Sequence, residues 1–367
     1  MKCKAAITGI GVSDVLVEVP FSSEKLSQYL ANILHAKQVL ITDIHPLSGG
    51  AIQENWHLSL QIDGGEYDGA HKWVLRKDAP SCVSVSNSRS TEFVVLSHAF
   101  ANGVTTPKPI CLCEDERVIG GVFFVMEAMA GQAQAHKLVR LPAFAQGSNA
   151  LACQLGTEMA LLHKTMPTAE LTKVLGQPKP NPQAQILFQM RSYLDALGAC
   201  QPVLEFALNW LEDRMDIWQI GTEPVLCHRD FRAGNFLIDG EKMTALLDWE
   251  FAGFSDSHED IGWLCARCWR FGNDHLSVGG LAPFAPFREA YEAASGQAIN
   301  LPALGCWQVM AEIRWAVIAL QQARRNDSGK EHALQLALSG QMVAEMEYHM
   351  LSLINEIEAD RWQDFMA

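Results

Sequence analysis

Positive charge is in short supply in this sequence: 28 Lys and Arg stand against 42 Asp and Glu, a formal net charge of −14. A broad nucleic-acid-binding surface needs a basic face to neutralise phosphates, so no nucleic-acid partner is expected. The acidic total does not demonstrate a cationic substrate either, because such totals mostly reflect solubility. Long hydrophobic runs are also missing: no apolar stretch approaches the roughly 18 residues that span a bilayer. The segment Ala5 to Val12 is short, contains two glycines and runs into Asp14, which makes a poor signal peptide. A cytoplasmic chain with no membrane partner is the expectation. Internal repeats and low-complexity tracts are absent, and the proline-containing segment Pro178 to Pro182 reads as a loop.

The ten cysteines lack a disulfide-framework context, which belongs to short secreted chains. Cys265-Ala266-Arg267-Cys268 has metal-ligand spacing. A structural zinc site wants a second such pair, and Cys111-Leu112-Cys113 has the wrong spacing to supply one. Set among apolar neighbours, most of these thiols read as buried packing groups.

At 367 residues the chain exceeds one compact core, and 49% hydrophobic with 19% charged residues suits an ordinary core-forming enzyme. Ser22 to Ala36 has the spacing of an amphipathic helix capped by Ser22 or Ser23. Strand-like segments follow at Val39 to Ile41, at Trp56 to Ile62 with clear alternation, and at His71 to Arg76. The turn Asp63-Gly64-Gly65 links the last two, which argues for an antiparallel sheet. A helix over Ser88 to Asn102 and strands at Lys108 to Leu112 and Gly121 to Glu127 complete the first part. After Gly131 long helical periodicities take over: Gly147 to Lys164, Gln183 to Leu197, Val203 to Trp218, Leu301 to Arg324 and Glu331 to Glu358.

Within that helical part stands His228-Arg229-Asp230-Phe231-Arg232-Ala233-Gly234-Asn235, followed by Leu246-Leu247-Asp248-Trp249-Glu250. An Asp, an Asn five positions on, and a second Asp after a short apolar run are what phosphoryl transfer needs. One carboxylate receives or orients the proton of an attacking hydroxyl, while an amide oxygen and another carboxylate hold magnesium. Phe236 to Ile238 and Ala245 to Leu247 read as two strands joined at Asp239-Gly240. Such a hairpin brings Asn235 and Asp248 to one end, facing one cation.

This constellation resembles the catalytic loop and metal-binding segment of the aminoglycoside phosphotransferase family, the choline-kinase-like small-molecule kinases with a protein-kinase-like fold. Protein kinases themselves fit less well. The metal Asp is followed here by Trp249-Glu250, no Ala-Pro-Glu segment follows, and Arg76 stands at the lysine position. With the Trp-rich segment near Trp307 and Trp315, the chain looks most like the branch related to phosphotransferase domains fused to some acyl-CoA dehydrogenases. The resemblance covers roughly residues 25 to 355.

The resemblance implies an α+β, bilobal fold. Residues 1–130 would form a small nucleotide-binding lobe with an antiparallel sheet, and 131–367 a larger helical lobe carrying the catalytic loop and acceptor site. It implies ATP or GTP and Mg2+, with Asn235 and Asp248 as metal ligands and Asp230 as catalytic base. Arg232 either reaches the transferred phosphate, for which a forked guanidinium is suited, or is a solvated loop residue. Ser48, Gly49 and Gly50 fall where the family carries its phosphate-covering loop, and glycines there let backbone N–H groups approach phosphates. Arg76 would bind phosphate oxygens and Glu92 would pair with it, while Lys77 reads as a strand-edge surface charge. Met126 would line the adenine pocket, with the backbone of Glu127 and Met129 on the adenine edge. His228 is expected to be scaffold, and Asp260 to cap a helix or brace the catalytic loop. The family usually has Asp-Pro near Asp256, so the Asp-Ser here leaves that role open. The helix carrying Trp307, Arg314 and Trp315 either borders the acceptor pocket or is core packing. The implied function is transfer of a γ-phosphate to a hydroxyl of a small molecule: aminoglycoside-like, amino alcohol, sugar or hydroxyacyl metabolite. The alternative is a nucleotide-binding pseudokinase or regulatory module. Monomer and homodimer both remain open.

Overall fold

A computed structural model describes residues 20–47, 53–78, 86–198, 200–219, 223–327 and 334–362. Ser48, Gly49 and Gly50, the expected phosphate-covering loop, lie outside the described residues. The chain divides into two compact units, one of residues 1–82 with 111–128 and one of residues 83–110 with 129–367.

The first unit opens with the helix Ser23–Ile33, capped by Ser22, whose side chain accepts from the Lys25 N–H. Its spacing buries Leu26 and Leu30. Five strands follow: β1 (Gln38–Pro46), β2 (Gln53–Asp63), β3 (Gly69–Asp78), β4 (Pro109–Cys113) and β5 (Phe123–Glu127), in the sheet order β1-β2-β3-β5-β4. The pairs β1–β2, β2–β3 and β3–β5 are antiparallel. Alternation places Trp56, Leu58, Leu60 and Ile62 of β2 in the core, as a period of two requires. The central strand β3 is buried continuously from Trp73 to Lys77. That corrects the reading of Lys77 as a surface charge: it is 8% exposed and its ammonium lies 3.2 Å from Glu54.

The second unit is largely helical. Its core gathers the helices Pro182–Leu197, Pro202–Glu212 and Val343–Glu358 around the long helix Leu301–Asp327. Trp307 meets Trp218 edge-on at 5.0 Å in this core. The span Leu301–Asn326 is long and apolar enough to cross a membrane, which corrects the expectation that no segment is. Its apolarity has a plainer cause, since 78% of its most apolar 18-residue window is buried inside the protein.

Several boundaries differ from expectation. The helical periodicity from Val203 breaks into Pro202–Glu212 and Met215–Trp218, where Arg214 is drawn off to Glu358 and the Trp210 ring. Periodicity also missed the helix Phe284–Ser295, although Phe284, Phe287 and Tyr291 bury one face at helical spacing. Residues 83–110 group with the second unit, and not with the strands on either side of them in sequence. Hydrogen bonds explain that assignment. Asn87 donates from its backbone to Glu250 O (2.7 Å) and from its amide to Ala252 O (2.9 Å), while Thr105 and Thr106 bond to Glu158 and Leu246 O.

Two short antiparallel pairs carry the site: β6 (Val225–Cys227) with β9 (Gly253–Ser255), and β7 (Phe236–Asp239) with β8 (Lys242–Leu246). Asp239 pairs with Lys242, so the turn centres on Gly240-Glu241, one residue later than expected. Gly240 has φ +61° there, a conformation a two-residue hairpin turn demands.

The helix Ser257–Cys265 packs on the long helix through Gly262. A Cβ at Gly262 would stand 2.9 Å from both the carbonyl carbon and the Cβ of Trp307, so only glycine allows this approach. Gly262→Ala is expected to lower unfolding free energy by about 1–3 kcal/mol, the usual penalty for overpacking. Urea denaturation followed by tryptophan fluorescence measures it, and unchanged stability would contradict this packing.

Candidate active site

The loop after β6 is held at its root by Asp260. One oxygen of this fully buried carboxylate accepts the His228 N–H (2.7 Å) and the other accepts the Arg229 N–H (2.6 Å). Arg229 adopts φ +61°, a left-handed conformation that costs a non-glycine residue about 1–2 kcal/mol. Burial alone would raise the Asp260 carboxyl. The His163 hydrogen bond and charge, with His228, overcome that and hold it below the ordinary carboxylate value. The His163 ring bridges Asp260 (3.2 Å) and the Tyr291 hydroxyl (2.8 Å). Of the two roles expected for Asp260, the structure shows the brace. Capping falls to Asp256, which accepts from the His258 N–H at 2.8 Å and also receives Gln183 at 2.9 Å.

His228 is scaffold, as expected. Its Nδ1 accepts the Asp230 N–H (3.2 Å), which leaves Nε2–H to donate to Leu247 O (2.9 Å). The ring thereby ties the loop to the end of β8.

The Asp230 side chain is buried and closely held. Oδ1 accepts from Arg232 Nε (2.9 Å) and from the Trp263 indole N–H (2.8 Å), while Oδ2 accepts from Asn235 Nδ2 (2.6 Å). Asn235 Nδ2 also donates to Asp230 O at 2.9 Å. With Nδ2 committed to Asp230, the amide turns its oxygen the other way. The Leu247 N–H donates to Asn235 O at 2.8 Å, continuing the β7–β8 ladder and placing Asp248 beside Asn235. Asp248 is left-handed, with φ +68° and ψ +67°. Backbone strain of this kind concentrates where a side chain must be aimed.

Arg232 is not a freely solvated loop residue, because its guanidinium also covers the Trp269 ring at 4.4 Å. Arg314 lies over the Trp263 ring at 4.5 Å and reaches Glu259 at 3.4 Å, which also pairs with Arg229 at 2.9 Å. Trp263, Trp269 and Glu259 were not singled out by the sequence. The i, i+3 spacing of Asp260 and Trp263 was the available signal, since it sets both on one helix face. A depression of about 240 Å³ borders the Arg229–Glu259 pair, but Asp230, Asn235 and Asp248 do not line it.

The expected nucleotide-binding residues are distributed over both units. In the first, Arg76 is buried on β3 and donates to Asn55 Oδ1 at 3.4 Å. Met126 and Glu127 end β5 opposite Val74 and Trp73. In the second, Glu92 is buried and ion-paired with Arg89 three residues earlier on the same helix. Met129 precedes Ala130, whose carbonyl accepts from the Thr244 hydroxyl. All eight described cysteines are free, and burial pushes the Cys265 thiol up to about 12. Among the described residues no metal-binding group includes Cys265 or Cys268.

Glu312 lies on the long helix, accepting the Arg267 N–H at 2.9 Å. Burial pushes its carboxyl up to about 7, against the opposing pull of the Arg267 N–H and the Arg270 and Arg267 charges. The native state therefore holds a proton that the unfolded chain releases at the ordinary carboxylate value. This contribution to stability is complete below that value and is lost as pH rises to about 7. Glu312→Gln, which keeps the acceptor oxygen, is expected to remove this loss. Urea midpoints compared at about pH 5 and about pH 7.5 would then converge in the variant; an equal fall in both proteins would refute it.

The sequence model of the phosphotransferase enzyme family matches residues 43–313. Acyl-CoA dehydrogenase family member 11 of Pongo abelii is 24% identical over 257 residues, covering 68% of this chain and 31% of that protein. The chain thus spans about a third of the length of that relative. Among solved structures, a Ralstonia eutropha protein provisionally assigned as an aminoglycoside phosphotransferase superposes with TM-score 0.70 at 18% identity, covering 92% of this chain and 99% of that one. The GDP complex of aminoglycoside 2'-phosphotransferase-IIIa superposes with TM-score 0.56 at 15% identity, covering 88% and 97%. These likenesses establish a kinase-like fold, and with the match over residues 43–313 the chain belongs to the phosphotransferase enzyme family.

Proposed function

We propose that this chain is a small-molecule kinase that moves the γ-phosphoryl group of ATP or GTP to a hydroxyl of a small molecule. The carrying observation is the fixed Asp230 carboxylate with Asn235 and Asp248 alongside. Each carboxylate oxygen has two lone pairs. Oδ1 receives two donors, whereas Oδ2 receives Asn235, which leaves Oδ2 as the atom to orient an acceptor hydroxyl and receive its proton. Arg232 and Trp263 fix the plane of that carboxylate, so orientation is established before the acceptor arrives.

The donor set suits a hard cation. Asn235 Oδ1 and the Asp248 carboxylate are the oxygen ligands magnesium prefers. Bound there, Mg2+ would neutralise charge on the nucleotide phosphates. Arg76 is the candidate phosphate contact of the first unit. The relatives' reach across aminoglycosides and an acyl-CoA-dehydrogenase-linked chain leaves the acceptor as an aminoglycoside-like, amino alcohol, sugar or hydroxyacyl hydroxyl compound. A nucleotide-binding module without turnover is the second reading; the presence of all three oxygen donors favours catalysis over it.

The deciding experiment incubates the protein with ATP or GTP, Mg2+ and pooled hydroxyl metabolites, and reads phosphorylated products by mass shift. Asp230→Asn is expected to lower kcat by about 10²–10⁴-fold, the range typical of a lost general base, while nucleotide affinity by calorimetry is kept. Asp248→Asn is expected to weaken nucleotide binding only when Mg2+ is present. Nucleotide binding by the wild type with no product from any pool would favour the module. Trp263→Phe removes one hydrogen bond to a charged group, worth about 1.5–3 kcal/mol. It is expected to reduce kcat by about 10–100-fold with little change in nucleotide KM; an unaltered kcat would remove the indole from the machinery.

A further inference from the structure

On the first unit, apart from the phosphotransfer residues, Asp43, His45 and His57 stand together on the outer face of the β1–β2 pair. The sequence pattern alone would not put them there. Along the first part of β1, Val39 pairs with Ile62 and Ile41 with Leu60, so the odd positions of β1 join the buried partners of β2. The register then shifts between Ile41 and Asp43. An extra residue in one strand turns the following side chains to the opposite face. From that point Asp43 pairs with Ser59 and His45 with His57, and the odd positions of β1 face out.

This irregularity assembles three donors. One oxygen or nitrogen from each of Asp43, His45 and His57 lies within 4.8 Å of the other two. Asp43 Oδ2 sits 2.9 Å from His45 Nδ1. The two imidazoles stack at 4.7 Å with an interplanar angle of 18°. His57 Nδ1 is sealed from solvent and has no hydrogen-bond partner among the described residues.

We infer that Asp43, His45 and His57 form a binding site for one divalent transition-metal ion of the zinc type. Two imidazoles and one carboxylate match the ligand preference of such ions, whereas magnesium prefers oxygen alone. Metal–ligand bonds of about 2.0–2.2 Å require the three atoms to draw closer and the rings to turn out of the stack. Asp43 and His45 are exposed and His57 half-buried, so side-chain rotation supplies that movement without shifting the strands. An ion there would clamp β1 to β2 across the Asp43–Ser59 and His45–His57 pairs.

The test uses the full chain, freed of metal by chelation and without nucleotide, titrated with Co2+ and with Zn2+. One Co2+ per chain with the visible bands of a nitrogen- and oxygen-ligated ion is expected, and Zn2+ should raise the thermal midpoint. His45→Ala and His57→Ala should each abolish both signals, and Asp43→Asn should weaken binding by about 10–100-fold. The histidines are not core residues, and circular dichroism and unliganded melting confirm that the variants fold. No bound Co2+, the same stoichiometry in both His variants, or a Co2+–thiolate band in the near ultraviolet would each overturn the site.

Discussion

The geometry of the loop after β6 depends on one buried carboxylate gripping two successive backbone amides. Asp260 takes the N–H groups of His228 and Arg229 on its two oxygens, and this grip forces the left-handed turn at Arg229. The strain is offset because hydrogen bonds to an ionised acceptor are roughly twice as strong as neutral ones. The grip works only if Asp260 itself is immobile. Its helix rests on the long helix through Gly262 and Trp307, and His163 holds the carboxylate from the other side. The same helix supplies Trp263, whose indole fixes Asp230. Backbone path and side-chain orientation are thus set by residues three apart on one rigid element, so an error in one is an error in both.

The β7–β8 hairpin supplies the second half of the site by a different device. Its ladder continues past the strands, with Leu247 N–H on Asn235 O, and the left-handed Asp248 then turns the chain. His228 joins the two halves through Asp230 N–H and Leu247 O. A neutral histidine can do this because it offers one acceptor and one donor on opposite sides of a small rigid ring. Lysine or glutamine could not span the same gap with equal stiffness.

What the sequence disclosed and what it hid follow from the range of the interactions. The hairpin and the Asp230, Asn235 and Asp248 set lie within nineteen positions, so spacing and turn chemistry describe them well. The turn itself was displaced by one residue because Asp239 pairs in the ladder in place of forming the turn. The partners of Asp230 and Asp260 were harder to see. Trp263 is 33 positions from Asp230, and His163 is 97 positions from Asp260; no local pattern encodes such contacts. The assignment of residues 83–110 to the second unit depends on Asn87 meeting Glu250 and Ala252, and this too is a tertiary matter. The face reversal in β1 shows the same limit within a strand, because one extra residue moves Asp43 and His45 outward while every propensity stays the same.

Net charge misled least where it was used least. The chain carries −14 overall, yet around Asp230 the carboxylates are matched by guanidinium groups. Glu259 is shared by Arg229 and Arg314, Asp230 holds Arg232, and Asp260 grips the Arg229 N–H, so three guanidinium groups meet three carboxylates. Two of these cations lie over indole rings, whose faces attract positive charge without neutralising it. Burial pulls the Arg314 pKa down from its ordinary value, but a guanidinium starts so high that it stays charged. Partly buried charges are screened little by salt, whereas those scattered over the exterior are screened within a Debye length of about 8–10 Å. Opposite charges interleaved in this way keep their geometry at salt concentrations that screen the acidic exterior. The sign of a whole chain therefore says which surfaces it will not coat, and the sign of a site has to be read from the pairs that line it.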